Sequence, residues 1–230
     1  MTFFLQLVVT GFAQGMIYAL VSLGFVIVLK CSKAFNVAQG QFVMIGGYLG
    51  YAFLSTFHLP VWLSLITATA LGILTGLIIE RFIVRPMVGK PVLAIIMVTM
   101  GLATVLDAIA VFIWGSQYLT YHGLLPTINL SVGEISIPPE TLIGIMVSIV
   151  AVAMLMAFFR FTRSGLAMRA TAEDEQVVQV AGIRVTTVYA ISWSIAWVVG
   201  IIGGILLGGQ GGVTIQMENV GLKALAVVLL

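Results

Sequence analysis

Long apolar runs broken by short polar connections set the plan of this chain. Five of them, Phe3–Leu29, Val61–Ile79, Val92–Trp114, Thr141–Phe159 and Val188–Leu207, reach or approach the roughly 20 residues a helix needs to cross about 30 Å of hydrocarbon. A sixth run, Phe42–Phe57, is short and carries Gly46, Gly47 and Gly50. Either it spans by tilting or by local thinning of the bilayer, or it is a broken or re-entrant piece. The last run, Leu222–Leu230, stops after nine residues, so the chain is expected to end inside an element. The pattern predicts an all-α, polytopic transmembrane helix bundle of about six spans, one domain over residues 1–230.

Lys and Arg favour cytoplasmic loops, and here they alternate. Lys30 and Lys33 lie in the first connection, Arg81, Arg85 and Lys90 in the third, and Arg160, Arg163, Arg169 and Arg184 in the fifth. The second connection, around His58 and Pro60, and the fourth, Gly115–Glu140, have none. Six crossings satisfy the alternation, with the N-terminus outside. If Phe42–Phe57 did not cross, the first and third basic groups would lie on opposite sides.

The stretch least like the rest is Arg160–Thr187, which holds four of the ten Lys/Arg and three of the eight Asp/Glu. It reads as a short cytoplasmic helix: Thr171 and Asp174 form a capping box, residues Ala172 to Ala181 lack Gly and Pro, and Gly182 follows as a terminator. Small residues recur at four-residue spacing in Gly11/Gly15, Gly46/Gly50, Gly72/Gly76, Gly200/Gly204 and Gly208/Gly212, the pattern that lets helices approach closely in lipid. Glycine and polar side chains occur together at Asn36–Gln41 (NVAQGQ) and Gly208–Gly212 (GGQGG). Each is either a pathway lined by free backbone groups, with Asn36, Gln39, Gly40, Gln41 and Gln210 on it, or an interfacial turn. Asp107 is the one acid deep in a span. It is a pathway or relay candidate, unless its place about 10 Å from the outer end lets it reach the interface. Glu80 beside Arg81 reads as a surface charge pair.

Composition narrows the chemistry. The chain is 61% hydrophobic and 8% charged, with a mean hydropathy of +1.19, against about 25% charged residues in soluble domains. A net charge of +2 without a Lys/Arg cluster points away from nucleic acid. The single cysteine, Cys31, excludes an internal disulfide and a multi-Cys metal site. No basic region precedes the first run and no small-residue cleavage site follows it, so that run is expected to stay as a span. His58 and His122 fall in the outer loops, leaving no nucleophile–base pair at depth, and neither a zinc-protease nor a phosphate-loop signature occurs. No catalytic residue, metal or cofactor is therefore expected. If transport here is ATP-driven, another subunit must supply the engine, and the cytoplasmic polar stretch is its natural docking element.

Four stretches together carry a resemblance: Gly15–Phe25 (GMIYALVSLGF), Ala34–Tyr48 (AFNVAQGQFVMIGGY), Glu80–Pro86 (ERFIVRP) and Ser164–Ile183 (SGLAMRATAEDEQVVQVAGI). In that order the chain resembles, over almost its whole length, the permease subunits of bacterial branched-chain amino acid ABC importers of the LivH type. The resemblance implies a multi-pass inner-membrane protein that takes up branched-chain amino acids. Implied partners are separate ABC ATPase subunits, a second, similar or identical, LivM-like permease chain and a periplasmic substrate-binding protein received at the Gly115–Glu140 loop. It also implies that Ser164–Ile183 is the coupling element to the ATPase, with Arg169, Thr171, Glu173, Asp174, Glu175 and Gly182 in it. Similar permeases often read NFAHGE where this chain has Asn36–Gln41, which removes a His and a carboxylate from any proton role there. They also continue through about two more spans, so a fragment or an incomplete gene product is expected. The other readings are an ABC permease for amides, urea or another small solute, an ATP-independent channel or secondary transporter, and a membrane subunit with no pathway.

Overall fold

A chain this apolar must bond its buried backbone groups internally, and helices do so within each segment. The computed structural model describes residues 2–33, 35–87, 89–121, 130–132 and 135–229. Its helices are α1 (Thr2–Ser32), α2 (Gln39–Tyr51), α3 (Val61–Ile79), α4 (Val92–Trp114), α5 (Pro139–Phe161), α6 (Arg163–Glu173), α7 (Glu175–Val180), α8 (Val185–Gly211) and α9 (Asn219–Leu229). α2 runs on through a wider π-helical turn, Ala52–Thr56, and α3 through another, Glu80–Val84. A small antiparallel hairpin, β1 (Leu130–Val132) with β2 (Ile135–Ile137), sits between α4 and α5. Residues 122–129 and 133–134 of the long loop expected to receive a binding protein, His122 among them, lie outside the described residues. So do Ala34 and Leu230.

Among the described residues, five helical stretches are long and apolar enough to cross a membrane: Phe4–Ser32, Val61–Met87, Val92–Trp114, Pro139–Phe161 and Val185–Gly211. The fold is a polytopic helix bundle. Large apolar side chains cover its outside, with Phe112 on α4 92% exposed, the polarity expected of a surface that meets lipid rather than water.

Facing residues give the helix directions. Gly24 of α1 lies by Ala196 of α8 and Val21 by Gly203, while Gly76 of α3 meets Ser194 and Gly72 meets Ile201. Both helices are therefore antiparallel to α8. Phe42 of α2 meets Gly200 and Val43 meets Gly204, so α2 runs parallel to it. α4 runs with α2, since Gln41 reaches Asp107 and Tyr48 stacks on Trp114 at 5.1 Å. α5 runs against α8: Gly144 faces Gln210, and Leu155 and Phe158 pack on the cluster that holds Val188. The basic connections after α1, α3 and α5 thus lie at one end of the bundle.

The core centres on α2, buried from Gln39 to Tyr48. Its backbone lies directly on α8, and glycine makes that possible. A methyl at Gly204 would collide with the Val43 carbonyl, one at Gly46 with the Ile201 backbone, and one at Gly200 with Phe42. This is small-residue packing carried to backbone contact. Phe42 then stacks on Trp197 at 4.0 Å and meets Trp193 edge-on at 6.4 Å, so aromatic area fills what the glycines leave.

Two local expectations are corrected here. Thr171 does not cap a helix: it lies inside α6, fully buried, and its hydroxyl donates to the Ala167 carbonyl at 2.8 Å. Thr162 caps α6 instead, accepting the Gly165 N–H at 2.9 Å, and Asp174 breaks the expected single helix by capping α7. A hydroxyl can bond back into its own helix as readily as it caps one, so the spacing pointed one turn too far upstream. Nor is Glu80 a surface residue. It is 5% exposed in the π-helical turn, with one carboxylate oxygen unpartnered among the described residues.

The packing makes a testable demand. Gly204→Ala is expected to cost about 1–3 kcal/mol through overpacking, lowering the unfolding midpoint in detergent. Gly101, whose added methyl meets open space, is expected to accept alanine with an unchanged or slightly raised midpoint.

Candidate functional site

The site begins where a helix fails to start. α1 ends at Ser32, yet α2 begins only at Gln39, beside Gly24 and Ala196, about 12 to 17 Å inside the basic end at 1.5 Å per residue. The connection therefore dips into the bundle as non-helical backbone, with Asn36 only 1% exposed. Unwound backbone at depth must be bonded, and side chains do it. Asn36 Oδ1 accepts the Ala38 N–H at 3.1 Å, and Asn36 Nδ2 donates to Gln39 Oε1 at 3.2 Å. Gln39 Nε2 donates to the Ala196 carbonyl at 3.1 Å, in space that any side chain at Gly24 would fill. Thr99 Oγ1 of α4 accepts the Val37 N–H at 3.3 Å.

A second entry comes from the opposite end. After α8 the chain turns at Gly212 (φ +74°), and Val213 pairs with Leu119 across N–H to O distances of 2.7 and 3.0 Å. Tyr118 donates to the Gly211 carbonyl, and Tyr121 donates to the Gly47 carbonyl at 2.9 Å. A 3₁₀ turn, Ile215–Glu218, then leads into α9. The first turns of α2 and α9 cross backbone to backbone. A methyl on Gly221 would lie 2.7 Å from the Gly40 Cα, and one on Gly40 would strike the Glu218 carbonyl. Ser22 Oγ ties α9 to α1, donating to the Ala224 carbonyl at 2.9 Å.

Three polar side chains meet at this crossing. Gln41 Nε2 lies 2.9 Å from Glu218 Oε2 and 3.4 Å from Asp107 Oδ2. One amide thus faces two carboxylates, while the other Asp107 oxygen has no partner among the described residues. Both helices also point the positive ends of their dipoles here. Beside the crossing lies a cavity of about 250 Å³, walled by Phe25, Phe35, Val37 and Leu225 and polar at Gln41 and Glu218. Among the described residues, no three His, Cys, Asp or Glu side chains come together as metal ligands.

The sequence candidates separate accordingly. Gln41 and Asp107 come together, and Gly40 is the crossing point. Asn36 and Gln39 are occupied in bonding the unwound backbone. Gln210 points elsewhere, its amide against Gly144 of α5, and Gly208–Gly212 is a helix end whose glycines make room for Tyr121 and Tyr118. Glu218 lies inside no long apolar run, so only the polar pair Glu218–Asn219 before a final apolar stretch marks it. Lys223, 5.8 Å over the Tyr18 ring, escaped notice likewise.

At the basic end, α6 and α7 form a helix-turn-helix. Asp174 Oδ1 accepts the N–H groups of Gln176 at 2.8 Å and Val177 at 3.2 Å, and Gly182 (φ +84°) ends α7. Glu173 and Asp174 are exposed. Glu175 turns inward, accepting from the Tyr189 hydroxyl at 3.2 Å and so fastening α7 to α8. The tip presents Val177 (63% exposed) and Val180 (91%), apolar residues that the charge pattern did not single out. Arg169 is exposed on α6 but lines a groove against α1 and α5 rather than the tip.

The chain matches the model of a family described as branched-chain amino acid transport system / permease component, over residues 7–230. It is 28% identical over 223 residues to the high-affinity branched-chain amino acid transport system permease protein BraD of Pseudomonas aeruginosa, covering 91% of this chain and 72% of that protein. Over 218 residues it is 27% identical to the corresponding LivH protein of Escherichia coli K12, covering 90% and 71%. A probable LivH of Methanocaldococcus jannaschii is 24% identical over 210 residues, covering 87% and 63%. No solved structure matches.

The shared amide sets a test of the crossing. Gln41→Leu removes the donor common to both carboxylates and is expected to cost about 1–3 kcal/mol. In a Glu218→Gln background the same change is expected to cost at most half as much, giving a coupling energy readable from a double-mutant unfolding cycle.

Proposed function

Because the chain belongs to the family of branched-chain amino acid transport system permease components, we propose that it forms the membrane pathway of an ATP-driven importer of branched-chain amino acids. The family match favours this reading over the amide, urea, channel and pathway-free readings. The chain is a multi-pass membrane protein, and we place it in the inner membrane with the basic end cytoplasmic, as Lys/Arg asymmetry requires. A separate ATPase supplies the energy, a second permease chain completes the pathway, and a binding protein delivers ligand at the end opposite the basic one.

The observation that carries the coupling half of this proposal is the capped α6–α7 tip. An exposed Val177/Val180 surface beside Glu173 and Asp174 suits burial in a partner's cleft. Movement there has a continuous route inward. The Glu175–Tyr189 hydrogen bond joins α7 to α8, α8 lies backbone to backbone on α2, and α2 carries Gln41. Tightly packed helices shift as units rather than deform, so a displacement of α8 moves Gln41 relative to Asp107 and Glu218. In this mechanism Gln41, Asp107, Glu218 and Gly40 form a polar constriction. A zwitterion's ammonium meets the carboxylates, and an aliphatic side chain rests on the walls of the adjoining cavity. Asn36 and Gln39 hold the constriction in place, while Thr171 stiffens α6 from within.

Val180→Glu is expected to abolish uptake and co-purification of the ATPase while leaving the detergent unfolding midpoint unchanged, because Val180 packs on little within the chain. Leu166→Glu, also exposed on α6 though less so at 60%, and away from the tip, is expected to keep both. Retained ATPase binding in the Val180 variant would overturn the assignment of the tip.

A further inference from the structure

Two large grooves open on the outer surface of the bundle, and they differ in charge. One, of about 480 Å³, runs between α3, α5 and α8 past Ile73, Leu77, Met154 and Phe158, with no charged residue in its lining. The other, of about 590 Å³, lies at the basic end between α1, α5 and α6, walled by Val26, Ile27, Leu155 and Phe159. Three cations from three different helices close its mouth: Lys30 of α1, Arg160 of α5 and Arg169 of α6. No carboxylate lines it.

From this combination we infer that the α1–α5–α6 groove is a binding site for an anionic phospholipid. Its acyl chain lies along Val26, Ile27 and Leu155, and its phosphate rests among Lys30, Arg160 and Arg169. The three cations are exposed and take part in no ion pair among the described residues. Among the described residues, Arg160 lies over the Phe161 ring at 5.6 Å. Three unneutralised charges at the edge of an apolar groove repel one another, and a ligand with an anionic head and an apolar tail satisfies both surfaces at once. Their position fits the ligand. Lys30 and Arg160 lie in the last turns of α1 and α5 and Arg169 on α6, which follows α5, at the end of the bundle that the positive-inside rule assigns to the cytoplasmic leaflet. A second copy of this chain fits poorly, since a two-fold contact through this face would set the three cations against the same three. The ATPase-docking reading uses the α7 tip, so the lipid site stands or falls independently of it.

The test uses the purified full chain in neutral detergent, titrated with phosphatidylglycerol or with phosphatidylcholine of the same acyl chains, and follows the unfolding midpoint and lipid retention in native mass spectrometry. Phosphatidylglycerol is expected to be retained and to raise the midpoint beyond any effect of phosphatidylcholine. The triple variant Lys30→Gln/Arg160→Gln/Arg169→Gln is expected to lose phosphatidylglycerol affinity by about 100-fold, from about 1 kcal/mol for each cation. Arg81→Gln/Arg85→Gln, at the same end but outside the groove, is expected to retain it. Val152→Trp fills the groove while keeping all three cations and is expected to release the lipid, which guards against misfolding of the triple variant. Equal effects of the two lipids, full affinity in the triple variant, or the same midpoint shift from inorganic phosphate alone would each overturn the proposal.

Discussion

The backbone contact between α2 and α8 is the constraint on which the rest depends. At Gly200, Gly204 and Gly46 no side chain separates the two helices, so α2 occupies the centre of the bundle rather than its rim. Lipid tails are as apolar as leucine, and association of helices in a bilayer rests on close packing rather than on expelling water. The closeness of this pair is thus itself the stabilising interaction. It also fixes register, because Phe42 must stack on Trp197 when Gly204 lies on Val43. α1 and α3 then pack on the same α8 through Gly24, Gly72 and Gly76, which makes α8 the common support.

A central helix that starts at mid-depth creates a problem and an opportunity. The problem is the buried unwound backbone of residues 35–38, answered by Asn36, Gln39 and Thr99. The opportunity is that the first turn of α2 is presented inside the bundle, where α9 meets it at Gly40 and Gly221. Two helix starts from opposite ends, with Gln41, Asp107 and Glu218 between them, form a polar interruption in an apolar bundle, the feature on which the proposed pathway rests. A carboxylate without a donor is costly at depth, and the Gln41 amide is the donor that Asp107 and Glu218 share.

Much of this was legible in the residues. The long apolar runs marked the helices, and the small-residue spacings marked the faces that pack. Charge alternation placed the basic connections together at one end. What escaped was tertiary in origin. The sequence pattern left open whether Phe42–Phe57 was whole or broken, because the depth at which α2 starts depends on its neighbours α1 and α8. Thr171 and Asp174 had the spacing of a cap, but burial decided which of them served as one. Glu80 looked exposed beside Arg81, yet the π-helical turn carries it inward. Asn36 and Gln41 lie in one polar stretch and do different things, since one bonds backbone and the other faces two acids contributed from residues 107 and 218. No local pattern pairs Gln41 with Glu218, 177 positions apart.

In the proposed mechanism the Gln41–Asp107–Glu218 crossing is a gated, water-accessible constriction while the adjacent unwound backbone is sealed. It is tested most directly by single cysteines at Gln41, Glu218 and Ala38 in a Cys31→Ser background. The assembled transporter is treated with a membrane-impermeant thiol reagent, with and without ATP trapped on its partner subunits. The cysteines at positions 41 and 218 are expected to react, at rates that change between the two nucleotide states, and the one at position 38 to stay protected in both. Protection of positions 41 and 218 in every state, or equal reaction at position 38, would contradict it.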